Sequence, residues 1–352
     1  MKKGIKPLIA SLMLPSLLML GACGNNTDQT GGEGKSDSGI QKRTLRAGIG
    51  LPKEHPEGQG LVKFKELVEE KTDGKITIEP YFNAQLGDDQ KMVGGLQAGT
   101  LDITIPSTSP LVGTVKQFGI FDFPFLFNNG EEADAILDGP VGKKVLDKLP
   151  QHDLVGLAYW ENGFRNLTNS VHPVSSIEDF DGLKVRTMQN EVHLDVFKKL
   201  GANPTPMPFS EVFTALEGQT IDGQENPLAT ILSNKFHEVQ DYLSLTKHVY
   251  TPFVFLMSQM TWEQLSEKEQ TIIKNAAVEA GQYQRKANRK ANKEALNKLK
   301  EKGMKVNELP QEEKKEIKTL IQPIIDKYSK KYGEALYQQM SEQLETIRNK
   351  SE

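Results

Sequence analysis

The sequence predicts an α/β protein of two lobes tied together by a long helix. Residues 183–226 alternate strand, helix, strand and helix with short connections, the pattern of a parallel sheet with crossover helices. Residues 44–105 repeat that alternation. The chain has 352 residues, a length that suits two lobes with sizeable cores. From Trp262 to Gly303 there is no proline and Gly281 is the sole internal glycine, so a helix of about forty residues, roughly 60 Å long, can brace both lobes.

The N-terminus is built for export. Lys2, Lys3 and Lys6 precede an apolar run from Leu8 to Leu20, broken by Pro15 and followed by Leu20-Gly21-Ala22-Cys23. This reads as a signal peptide over residues 1–22, too short in its apolar part to span a bilayer comfortably. Cys23 is the only cysteine, which excludes a disulfide within the chain. Its setting resembles the lipobox of bacterial lipoproteins, which implies a diacylated thiol and anchorage to the lipid bilayer through Cys23. Residues 24–43 have almost no apolar content, so 23–43 reads as a lipid-anchored flexible linker. Removal of three lysines with the signal takes the formal charge from −4 to about −7, which argues against a nucleic-acid partner.

The globular pattern starts at Thr44. LRAGIGL is a strand, and Leu61, Phe64, Leu67 and Val68 form one stripe of a helix from about Gly58 to Lys71. Ile76 and Ile78 mark a second strand, making a βαβ opening. His55 sits in the loop after the first strand, where ligand contacts are common. A helix from about Asp88 to Ala98 and a strand Leu101–Ile105 come next. The loop after that strand holds Ser107 and Ser109, which supply neutral donors to a substrate or cap the adjoining turn. FGIFDFPFLFNN at 118–129 is too apolar for an exposed loop and is expected to be buried near the junction of lobes. Residues 131–149 read as one helix, LVGLAYWENGFRNLTNS as a strand carrying Arg165, and Tyr250–Met257 as an apolar strand. His248, on spacing alone, is a structural histidine. MKVNEL is a short strand, and two helices from about Gln311 to Asn349 close the chain.

The run 182–228 is the expected functional centre. Leu183–Arg186 alternates as a strand; Val192, Val196 and Leu200 keep helical spacing up to Gly201; Pro204, Pro206 and Pro208 forbid further helix. Ser210 with Glu211 offers an N-cap for a helix ending near Gly218. Arg186 and Asn226 fall at strand ends, where open α/β sheets place their ligands. A guanidinium there matches a carboxylate in a two-pronged, charge-assisted hydrogen bond, so the residues point to an anion site.

Three phrases in this run, GLKVR, LGANPTPMPFSEVFTAL and DGQENPLA, resemble the substrate-binding (P) subunits of TRAP transporters, the DctP-type solute-binding proteins of tripartite ATP-independent periplasmic importers. The resemblance covers nearly all of the chain from Thr44 onward. It implies a two-lobed clamshell like that of periplasmic binding proteins, with the long helix bracing both lobes, and hinge closure on a small carboxylate ligand. It implies that Arg186 forms the main salt bridge to the substrate carboxylate, that Arg165 assists, that Asn226 adds a hydrogen bond and that Phe209 packs on the apolar face. It places His248 and Tyr250 near the cleft edge. Sialic-acid binders of the family carry an acidic residue at the position of Ser107, so C4-dicarboxylates and sugar acids such as hexuronates remain the open choices. The implied partners are the small and large membrane permease subunits, with the protein a monomer on the outer face of the cytoplasmic membrane.

The lobes are expected to interleave, lobe I from 44–163 and 251–289, lobe II from 164–250 and 290–352. Two guanidiniums at one cavity repel each other unless an anion joins them, so the empty site is expected to be open and wet. Catalytic machinery is not visible: the six histidines lack HExxH spacing, and no Gly-x-Ser-x-Gly, Gly-x-Gly-x-x-Gly or P-loop is present. No cofactor, metal site or catalytic residue is therefore expected. A ligand sensor for a membrane receptor kinase is the alternative reading, and an extracellular enzyme a more distant one.

Overall fold

A computed structural model describes residues 39–351; the signal peptide, Cys23 and most of the linker lie outside the described residues. The described residues open with β1 (Arg43–Gly48), α1 (Pro56–Lys71), β2 (Ile76–Tyr81), α2 (Asp89–Gln97) and β3 (Ile103–Thr104). β1 pairs in parallel with both β2 and β3, as the βαβ pattern requires. His55 caps α1 and Asp88 caps α2, each accepting a hydrogen bond from an otherwise orphaned backbone N–H.

Residues 131–149 do not form one helix. α3 (Gly130–Leu137) ends and α4 (Pro140–Leu146) begins anew at Pro140, which lacks the N–H that a continuing helix needs and fits the first turn of the next. The apolar stretch 118–129 is buried as expected: Phe118, Ile120, Phe121 and Phe123 are inaccessible and lie beneath the C-terminal helix.

Two long strands run through the middle of the sheet. β4 (Leu154–Asn169) and β8 (Tyr242–Ser258) run antiparallel over most of their length. β8 extends well before the apolar segment that periodicity marks, because its first half alternates polar and apolar residues on a half-covered face. At one end β8 pairs with β3; at the other β4 pairs with β7 (Gly223–Asn226). Between β4 and β8 the chain adds β5 (Lys184–Thr187), α5 (Glu191–Lys199), β6 (Asn203–Pro206), α6 (Val212–Glu217) and α7 (Leu228–Ser233). Among the described residues the strands form one sheet in the order β2-β1-β3-β8-β4-β7-β5-β6, with β9 (Lys305–Glu308) also pairing β8.

α8 (Gln259–Glu263) is a short helix of its own. α9 (Glu267–Glu301) starts at a capping box made by Ser266 and Glu269 and runs 35 residues, about 52 Å. It packs against α1, β4 and α7, elements far apart in the chain. Trp160 on β4 fills the space between α1 and α9, donating its indole N–H to the Ala277 carbonyl over 3.0 Å. α10 (Gln311–Ser351) is two helices joined at Gly333, whose φ of 130° only glycine adopts without strain. It lies against α3, α4 and α5.

Candidate functional site

Three neighbouring strands deliver the candidate residues to one cavity. β5 and β7 run in parallel with Arg186 opposite Gln224, and β7 pairs with β4 so that Asn226 stands opposite Asn166. Arg186, Asn226 and Arg165 therefore emerge side by side. In β4 the register against β8 shifts between Glu161 and Gly163 and again between Arg165 and Leu167. Arg165 sits between these two irregularities, which re-aim its side chain. A cavity of about 50 Å³ is lined by Arg165, Arg186, Asn226, Phe209 and Ser107 among others. These are five of the eight small-molecule contacts expected from sequence.

The two arginines are in different electrostatic states. Arg165, 1% exposed, donates from Nε and Nη2 to the Glu225 carboxylate, one of the bonds spanning 2.9 Å, and also to the Glu225 carbonyl. Burial raises the Glu225 pKa, but the charge of Arg165, the hydrogen bonds from Arg165 and the nearby His248 imidazole outweigh it. Glu225 is held well below the usual carboxylate range and stays ionised. The chain itself thus supplies the counterion of one of the two arginines, Arg165. Arg186 has no such partner among the described residues. Its Nε and Nη2 donate to the Met207 carbonyl at 3.0 and 2.7 Å, and its Nη1 is buried with no hydrogen-bond partner. Burial lowers its pKa to about 10, with Glu225 opposing and Arg165 adding to the shift. It remains a cation at neutral pH with its Nη1 group unspent.

His55 lies just behind the cavity. Its Nδ1 accepts the Glu57 N–H at 3.1 Å, so Nε2 carries the proton toward Thr230 Oγ1 at 3.2 Å. Burial drops its pKa to about 3, which keeps it neutral. The pair links the N-cap of α1 to α7. His248 does not line the cavity: its Nε2 is 3.3 Å from Glu225 on the far side, and it sits edge-on to Phe197. Burial lowers its pKa and Glu225 resists. Tyr250 is away from the cavity as well, with its hydroxyl 3.3 Å from Glu161 and its ring against Phe127 and Phe164. Ser107 accepts from the Asn162 amide at 3.1 Å, and its N–H donates to Asp89 at 3.2 Å. Ser109 caps nothing; its hydroxyl donates to buried Asp122. Ser210 gives no side-chain cap either, a 3-10 turn at Phe209–Glu211 leading straight into α6.

Sequence reasoning assigned no role to Glu225, nor to the acidic residues of the first lobe. Glu57, 1% exposed, stands in the first turn of α1 and lines the cavity, and its Oε2 has no partner. Burial, with Asp89 adding, raises its pKa well above the ordinary range. Asp89, the first residue of α2, also lines the cavity. Burial lifts its pKa to about 7, against the Ser107 N–H and the charge of Arg186. The available signal was acids at helix starts, which ordinarily means capping; Asp88 does cap, while Asp89 faces the cleft.

Residues 47–331 match the bacterial extracellular solute-binding proteins of family 7, DctP. The chain is 37% identical over 271 residues to the 2,3-diketo-L-gulonate-binding periplasmic protein YiaO of Escherichia coli, covering 77% of this chain and 83% of that one. A sugar acid binding protein from Advenella mimigardefordensis, solved with galactonate, superposes with a TM-score of 0.86 at 48% identity, covering 87% of this chain and 99% of the other. A TRAP periplasmic solute-binding protein from Sulfurospirillum deleyianum, solved with succinate, gives 0.82 at 32% identity, over 86% and 99%.

Proposed function

The chain belongs to the bacterial extracellular solute-binding proteins of family 7, binding proteins rather than enzymes, and from that premise we propose how its cleft captures a small organic acid. The carboxylate docks on Arg186, whose Nη1 is a buried cationic donor with no protein partner. That observation carries the reading, because an unspent charged donor in a cavity is costly until an anion arrives. Arg165, held rigid by Glu225, and Asn226 complete the carboxylate contacts. Phe209 covers the apolar part of the ligand, and Ser107 faces it from the first lobe. The relatives bound to galactonate and succinate support an organic acid as the solute.

We place the crossings between lobes in β4 after Gly163 and in β8 before Thr251. These residues stand directly opposite each other beside a bulge, and Gly163 has a φ of 115°. A hinge there leaves Arg165 on the second lobe. The protein hands its ligand to TRAP permease subunits in the membrane, and the Cys23 thiol anchors it, as a monomer, to the outer face of that membrane. Calorimetry of the mature protein against dicarboxylates, uronates, aldonates and 2-keto acids tests the core of this reading. Arg186→Ala is expected to lose about 2 to 5 kcal/mol, or roughly thirtyfold to several thousandfold in affinity. Arg165→Lys weakens binding and shifts preference. Wild-type affinity in Arg186→Ala refutes the anion site.

A further inference from the structure

The cavity is not cationic throughout. Facing Arg186 from the first lobe are two carboxyl groups, those of Glu57 on α1 and Asp89 on α2, with Asp88 beside them. Glu57 is 1% exposed, and its Oε2 has no hydrogen-bond partner. Asp89 spends one oxygen on the Ser107 N–H. Across the cavity stand Arg186 on β5 and Arg165 on β4, the latter neutralised by Glu225 on β7; His55 and Thr230 behind Glu57 are neutral. A ligand that reaches both walls meets a cation at one end and hydrogen-bonding carboxyls at the other.

We propose that Glu57 and Asp89 hold the hydroxylated tail of the ligand, so that the site selects a polyhydroxy monocarboxylate and rejects a dicarboxylate. The proposal rests on the carboxylate docking at Arg186 described above. A hydroxyl both donates and accepts, so it satisfies either an ionised or a protonated carboxyl, whereas a carboxylate accepts only. A second carboxylate at this wall is tolerated only where both acids carry protons, since like charges in a small buried site do not ionise together. Asp89, with a pKa of about 7, is the group whose ionisation decides this near neutrality. Burial pushes the Glu57 carboxyl in the same direction.

The test compares aldonates of four to six carbons, D-galactonate among them, with the aldarates of the same carbon skeleton and with succinate, by calorimetry at pH 8 and pH 6. The tightest aldonate is expected to bind at least tenfold more strongly than its aldarate at pH 8. The gap narrows at pH 6 because the aldarate gains, while the aldonate changes less than threefold. Asp89→Asn is expected to close most of the gap at pH 8 by admitting the aldarate. Glu57→Leu is expected to lose tenfold or more in aldonate affinity and Glu57→Gln, which keeps a donor and an acceptor, to lose less, which separates the hydrogen bond from mere packing. The proposal falls if succinate or an aldarate binds at pH 8 as tightly as any aldonate, if no aldonate binds, or if Asp89→Asn leaves the ratio unchanged. Failure of the underlying reading shows separately, as aldonate binding of wild-type strength in Arg186→Ala.

Discussion

Glu225→Gln is the sharpest probe of how the site is held ready. Glu225 is fully buried and binds Arg165 through both carboxylate oxygens and its own carbonyl. The substitution keeps the shape and one acceptor but leaves the Arg165 charge without its counterion in a nearly dry environment. Breaking a buried pair from one side costs about 3–5 kcal/mol, since the remaining charge is desolvated and uncompensated. For a chain of this size each kcal/mol lowers the melting temperature by about 1.5 °C, so a drop of about 5–8 °C is expected in scanning calorimetry without ligand. Because Glu225 is held below the ordinary carboxylate range, its contribution is present above the unfolded-state pKa and is lost only as pH falls toward the folded value. The difference between wild type and variant is therefore constant from pH 5 to pH 8. An organic acid restores a negative charge near Arg165, so ligand raises the melting temperature of the variant by more than it raises that of the wild type. A variant that melts within 1 °C of wild type, or gains no more from ligand, refutes the claim that Glu225 is the counterion of an empty site.

Asp89→Asn reports on the other wall. A carboxyl raised from 3.8 to about 7 binds its proton more tightly in the folded state, so its contribution to stability declines as pH rises from about 4 through 7. The variant's melting temperature should gain on wild type between pH 5 and pH 8, and a flat difference counts against the shift. Gly60→Ala tests the brace: the added methyl would lie 2.5 Å from Trp160 Cζ3 and 2.9 Å from Gln284 Cβ. Denaturant unfolding should show a loss of about 1–3 kcal/mol from overpacking; a neutral result means that α1 and α9 separate easily. Cys23→Ser should move the protein from the membrane fraction to the soluble one in cell fractionation, and an unchanged distribution excludes the lipid anchor.

The order of elements is written locally, because strand and helix periodicities, caps and prolines act over a few residues: the βαβ opening, the long proline-free helix and the strand-end positions of Arg186 and Asn226 are legible in the chain, whereas a place for Phe209 comes only from the family resemblance. Pro140 is visible there too, and a single helix over 131–149 disregards the break it imposes. What each charge faces is a matter of tertiary packing. Arg165 and Glu225 are 60 residues apart, and nothing in either neighbourhood says that one neutralises the other. Nor does a Pro-Glu after a histidine, or an Asp-Asp before a helix, say that Glu57 and Asp89 look across a cleft at Arg186. Periodicity records which face of an element is buried; the partner across that face is set by how long strands carry distant elements together, and electrostatics in a buried site depend wholly on that partner.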